Sequence, residues 1–144
     1  MPPEPVRILI ADDEAVIATQ LEELLQGQEY KVVAKAYSAE ETLRLARELQ
    51  PDLVLLDIVM PSAQQGLQAC RRIQQELNIP VVLITGFTQE EILRQASSSR
   101  PYGIIIKPFQ ESQVRVSIES ALRHRSEEQE QQTQAKYRII FEQS

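Results

Sequence analysis

Several things are scarce in this chain, and each scarcity excludes something. Among 144 residues there is one cysteine, Cys70, no tryptophan, and only 5% aromatic residues. A single thiol cannot close a disulfide within the chain, so a reducing compartment is expected. Cys70 lies on an apolar helical stripe and reads as core packing, not as a reactive thiol. With so few aromatics, the core falls to Leu, Ile, Val and Ala, which a hydrophobic content of 42% can supply. No segment approaches the roughly 20 apolar residues of a membrane helix, so no membrane contact is expected. The opening Met1-Pro2-Pro3-Glu4-Pro5 carries no basic or apolar signal region. Residues 1–5 read as a disordered leader, and the cytoplasm is the expected location. Positive charge is also short. A net charge of −6 argues against nucleic-acid binding by this segment, because phosphate contact needs a basic surface.

What is present is a strict alternation. Val6 to Ala11, Lys31 to Tyr37, Leu53 to Leu56, Pro80 to Thr85 and Tyr102 to Lys107 are short apolar runs of strand length. Between them lie apolar residues at helical spacing: Ile17, Leu21, Leu24 and Leu25, stopped by Gly27; then Leu43, Ala46 and Leu49, stopped by Pro51. After a loop through Gly66 come Leu67, Cys70, Ile73 and Leu77, closed by Asn78. Ile92, Leu93 and Ala96 precede a loop over 97–101, and Val114, Ile118 and Leu122 follow Glu111. Ser38-Ala39-Glu40-Glu41 and Thr88-Gln89-Glu90-Glu91 both have the form of a capping box. Five strands alternating with five helices predict right-handed crossovers and a mostly parallel sheet covered on both faces.

The strand ends carry the chemistry. Asp12 and Asp13 follow the first strand, Asp57 the third, Thr85 the fourth and Lys107 the fifth. In a parallel sheet these ends share one edge, where open α/β sheets place their sites. With strand order 2-1-3-4-5, the first, third, fourth and fifth strands are neighbours. Three carboxylates at one point repel one another unless a hard cation such as Mg²⁺ joins them. Lys107 adds positive charge and Thr85 a hydroxyl. The set suits a phosphoryl group carried on Asp57, since phosphoryl transfer needs positioning and charge stabilisation, and a carboxylate can be the nucleophile. Singly, each residue has a plainer reading: a helix cap for Asp12 and Asp13, a strand former for Thr85, a solvated charge for Lys107.

Together, Ala11-Asp12-Asp13-Glu14, Asp57-Ile58-Val59-Met60-Pro61, Val82-Leu83-Ile84-Thr85-Gly86 and Lys107-Pro108-Phe109 resemble the motifs of response-regulator receiver domains of two-component signalling. The resemblance covers residues 6–124. It implies a flavodoxin-like (βα)5 three-layer sandwich with a parallel five-stranded sheet in order 2-1-3-4-5. It implies that Asp57 is the phosphoacceptor for a histidine kinase or histidine phosphotransfer domain. Asp13 and Asp57 would bind Mg²⁺ directly with the backbone carbonyl of Val59, and Asp12 would act through a metal-bound water. Thr85 would move toward the phosphoryl group and Lys107 would contact one of its oxygens. A cis peptide is expected before Pro108. Such a domain catalyses only its own phosphorylation and dephosphorylation, and a homodimer through the fourth and fifth helices is a family trait.

Two departures stand out. Receivers carry Tyr or Phe three residues before the lysine, where this chain has Ile104. Tyr102 shares its parity in the strand but lies about 7 Å further from the site edge. The apolar Val59 and Phe87, two residues after Asp57 and Thr85, predict slow self-dephosphorylation, because neither can orient a water. Residues 125–144 read as a polar helical connector without a coiled-coil seam. Its end, Ala135-Lys136-Tyr137-Arg138-Ile139-Ile140-Phe141-Glu142-Gln143-Ser144, resembles the entry into a PAS domain, implying a downstream PAS, kinase or other output domain. Ile104 is the one feature that favours a pseudo-receiver, a pure interaction module. An aspartyl-phosphate hydrolase would need a second Asp soon after Asp57, where Ile58 and Val59 stand. A flavin site would need a phosphate-cradling loop after the first strand.

Overall fold

The computed structural model describes residues 4–27, 29–86 and 90–142, with side chains over 4–27, 29–86 and 94–133. Five strands alternate with five helices: β1 Val6–Ala11, α1 Ala15–Leu24, β2 Tyr30–Ala36, α2 Ala39–Leu49, β3 Leu53–Asp57, α3 Ala63–Glu76, β4 Val81–Thr85, α4 Glu90–Ser98, β5 Gly103–Ile106 and α5 Glu111–Glu142. The strands form one parallel sheet in order β2-β1-β3-β4-β5, as the sequence predicts.

Strand alternation builds two cores. Leu9, Val54, Leu56, Val81 and Leu83 face α2 and α3 through Ala46, Leu67, Cys70 and Ile73. Ile8, Ile10, Leu53, Leu55, Val82 and Ile84 face the other way, onto Ala18 and Leu21 of α1 and Val114, Ile118 and Ala121 of α5. Both faces of the central strands are buried, so β3 and β4 read as continuous apolar runs. Cys70 is fully buried, and burial pushes its thiol pKa up to about 11, which keeps it inert.

Local signals behave as their chemistry dictates. Ser38 caps α2 by accepting from the Glu41 amide at 3.1 Å, while the Glu41 carboxylate accepts from the Tyr37 amide at 3.3 Å. Gln50, at φ 48°, closes the same helix in the left-handed region before Pro51. Asn78 plays that part after α3, at φ 60°. The Thr88 capping box and Phe87 lie outside the described residues. Lys107–Pro108 is cis, as expected, and so is Met60–Pro61.

Three expectations are corrected. Gly66 lies inside α3, not in the loop before it. Ser62 caps the helix through the Gln65 amide, and the helix starts at Ala63. The glycine is needed for close approach: a Cβ there would sit 1.7 Å from the Ile58 carbonyl oxygen. Residues 97 and 98, expected in a loop, continue α4. The Ser98 and Ser99 hydroxyls each bond back to a carbonyl of the preceding turn at 2.7 Å, which lets the serine run stay wound. Tyr102 does not share the face of Ile104. It precedes β5 and packs with the α5-side core, whereas Ile104 packs on the α3-side core.

Candidate functional site

The sheet delivers its polar groups to one edge. Ile8 to Ala11 pair with Leu53 to Leu56, which brings the residue after β1, Asp12, beside the end of β3 at Asp57. Asp57 pairs with Ile84, and Thr85 with Ile106, so the ends of β4 and β5 fall alongside. The Lys107 amide donates to the Thr85 carbonyl at 2.8 Å and carries the lysine onto the same edge. Asp12, Asp57 and Thr85 are buried there. Asp13 is exposed.

The side chains converge as the sequence predicts. One oxygen each from Asp12, Asp13 and Asp57 lie within 4.8 Å of one another. Lys107 Nζ donates to Asp57 Oδ2 at 3.2 Å and lies 3.7 Å from Asp12 Oδ2. The other Asp57 oxygen accepts from the Val59 amide at 3.2 Å, which folds the chain after β3 back over the carboxylate. Asp12 Oδ1 accepts from the Glu14 amide at 2.9 Å. Its Oδ2 is buried and has no hydrogen-bond partner among the described residues.

That orphaned oxygen states what the site lacks. A buried carboxylate oxygen without a donor is costly. Burial pushes the Asp12 pKa up to about 6, with repulsion from Asp57 adding to it; the Glu14 amide and Lys107 hold it back. Burial also works against the charge on Lys107, yet Asp57 and Asp12 hold its pKa above the usual lysine value. Two carboxylates share one ammonium, and a third stands at the rim. Hard oxygen donors in this number, one side open to water, match what Mg²⁺ prefers. The residues present therefore fit such an ion. They also suit an anion on Asp57, since Lys107 already sits within reach of its oxygens.

Two features escaped the sequence reading. Gly66 holds α3 against the backbone that follows Asp57, a close approach that no local pattern signals and that the sequence reading placed in a loop. The Tyr102 hydroxyl donates to Glu128 of α5, 26 residues on, a pairing without local signature.

Comparison with known proteins agrees with this geometry. Residues 8–119 match the family model described as the response regulator receiver domain. The transcriptional regulatory protein PdtaR of Mycobacterium tuberculosis is 35% identical over 118 residues, covering 82% of this chain and 57% of that protein. The DNA-binding response regulator MtrA of Mycobacterium leprae is 32% identical over 124 residues, covering 85% and 53% respectively. The chain thus spans about half the length of the curated relatives it matches. Among solved structures, the signal receiver domain of a modulated diguanylate cyclase from Desulfovibrio desulfuricans G20 superposes with a TM-score of 0.79 at 29% identity, covering 88% of this chain and 99% of that one.

Proposed function

This chain belongs to the response regulator receiver family, and from that membership we propose that Asp57 accepts a phosphoryl group from a histidine kinase or histidine phosphotransfer domain. The observation that carries the proposal is Lys107 Nζ lying between Asp57 Oδ2 at 3.2 Å and Asp12 Oδ2 at 3.7 Å, with the latter oxygen otherwise unbonded. In the step, an Asp57 carboxylate oxygen attacks phosphorus as the phosphorus–nitrogen bond to the donor imidazole breaks. The imidazole leaves with the electron pair and takes a proton. Lys107 neutralises one phosphoryl oxygen, and the Thr85 hydroxyl donates to another. The Val59 amide orients Asp57 for attack. Asp13, Asp57 and the Val59 carbonyl would hold Mg²⁺, with Asp12 reaching it through water; when bound, the ion neutralises charge that develops on the phosphoryl oxygens.

The aspartyl phosphate adds nearly two negative charges where a carboxylate stood. That change biases the surface seen by a partner or by an output domain beyond α5, in the cytoplasm. A homodimer through α4 and α5 is one such use. The domain acts on no separate substrate. Ile104, a half-buried aliphatic on β5, favours a second reading, an interaction module that never carries phosphate.

Acetyl phosphate with Mg²⁺, followed by intact mass, separates the two. A gain of one phosphoryl group in the native chain, absent in Asp57→Asn, supports the receiver reading. No gain with Mg²⁺ bound supports the interaction module.

A further inference from the structure

At the opposite edge of the sheet, helix α5 does not leave the body where its apolar stripe ends. Ala121 is the last fully buried position of that stripe. The helix then continues through a polar stretch, yet two more turns stay attached. The Tyr102 hydroxyl donates to Glu128 Oε2. His124 Nε2 lies 3.3 Å from Glu128 Oε1, and its ring meets Tyr102 at 5.5 Å between centroids, tilted by 59°. The Arg125 guanidinium donates at 3.1 Å to the carbonyl of Asn78, the left-handed residue that follows the α3 cap Leu77. Gln74 of α3 ties the same corner together. Its amide nitrogen donates to the Arg100 carbonyl at 2.9 Å and its oxygen accepts from the Val81 amide at 3.2 Å. The loops before β4 and β5 are thereby fixed to each other and to the helix.

Tyr102 is also the residue before β5, and Lys107 the residue after it. The strand between them has four residues and lies at the edge of the sheet, paired with β4 alone. One short edge strand therefore ends on Asp57 at one side and on α5 at the other.

We propose that Tyr102, Arg125 and Glu128 form a clasp that carries the first turns of the α5 extension as a rigid part of the receiver, and that β5 links this clasp to the state of Asp57. The coupling half rests on the phosphoacceptor reading given above; the clasp half does not. The chemistry favours a closed clasp. Burial and the adjacent Glu128 both raise the Tyr102 pKa, so its hydroxyl keeps the proton it donates. The lever that follows then starts near Gln129, not at Arg123. Whatever is joined to α5 inherits its direction from the receiver body.

Hydrogen exchange of the α5 amides over 123–133 tests both halves, on the full chain, with and without Mg²⁺ and beryllofluoride. With the clasp, amides 124–129 exchange about as slowly as those around Ile118. Tyr102→Phe and Glu128→Gln each remove one charge-assisted bond and speed exchange over 124–129 by about tenfold. Thermal melting confirms that the variants fold, and Glu128→Gln, a near-isosteric change at a half-buried helix position, covers the case in which Tyr102→Phe does not. Unchanged exchange in the folded variants overturns the clasp. Beryllofluoride changes exchange over 124–133 in the native chain and leaves it unchanged in the variants. An identical response in native and variant chains overturns the coupling. Fluorine NMR reports beryllofluoride on Asp57 independently. If none binds, the phosphoacceptor reading and the coupling fall together, while the clasp is still judged by the metal-free data.

Discussion

The two edges of this sheet are built on opposite terms. At the amino edge, polar groups are matched. The Arg7 amide donates to Asp52 at 2.8 Å and its guanidinium to the Gln50 carbonyl at 2.9 Å. Gln74 uses both ends of its amide, and Tyr102 finds Glu128. At the carboxyl edge, Asp12 Oδ2 is buried without a hydrogen bond among the described residues, Asp12 and Asp57 share one ammonium, and Asp13 stands close to both carboxylates. One edge is satisfied and the other is left wanting a cation. Sites that must bind and react sit at the less stable end of a fold, and the rest of the structure offsets their cost.

The strongest way to break that contrast is steric. The carboxyl edge owes its shape to the approach of α3 at Gly66, where an added Cβ would lie 1.7 Å from the Ile58 carbonyl oxygen. Backbone cannot yield as a flexible side chain does. Gly66→Ala is expected to cost up to about 3 kcal/mol of unfolding free energy, read from the denaturant midpoint. It should also disturb the Val59 amide that bonds Asp57. A midpoint shift near zero would mean that α3 can slide freely, and the edge would not depend on this contact.

A smaller effect comes from charge. The Asp12 pKa is raised from 3.8 to about 6, chiefly by burial. The folded state therefore holds a proton that the unfolded chain releases. This contribution to stability is full below about pH 4 and disappears as pH rises through about 6. The metal-free protein should show a component of its melting temperature that falls across that window. Asp12→Asn removes the component and raises metal-free stability at neutral pH by about 1–2 kcal/mol, the scale of a buried group without its donor. Mg²⁺ should stabilise the native chain and do so less for the variant. Equal melting curves for native and variant chains across pH 4–8 would show that the two edges are equally satisfied.

The same contrast explains what the sequence made legible. Strand alternation and the residues at strand ends are local facts, so β1 through β5, the closeness of Asp12, Asp13, Asp57 and Lys107, and the place of Thr85 at the end of β4 could be read from them. Asp57 ends an apolar run, and parallel topology does the rest. Close approach is not local. Nothing near Gly66 announces that α3 rests on Ile58, so the glycine looked like a loop residue. Tyr102 looked like a strand residue because parity in an apolar run assumes that the strand has begun, and it begins at Gly103. Its partner lies in a stretch that lacks an apolar face, where periodicity has nothing to say. The serines of 97–99 suggest a loop by composition, but hydroxyl bonds to the preceding turn keep the helix wound.

The smallest expected effect sharpens the amino edge. The Arg125 guanidinium reaches the Asn78 carbonyl at 3.1 Å in an exposed setting. Water competes for both groups, and the long side chain loses entropy on fixing. Arg125→Ala should therefore cost about 0.5 kcal/mol in global stability, at the low end for a single hydrogen bond. Asn78 already holds a left-handed conformation that caps α3 without help from arginine. Chemical denaturation of Arg125→Ala beside Asn78→Ala separates the two contributions. The asparagine change should cost more, because it puts a less tolerant residue at positive φ. A larger loss for Arg125→Ala would mean that the matched edge is held by its charges more than by its backbone caps.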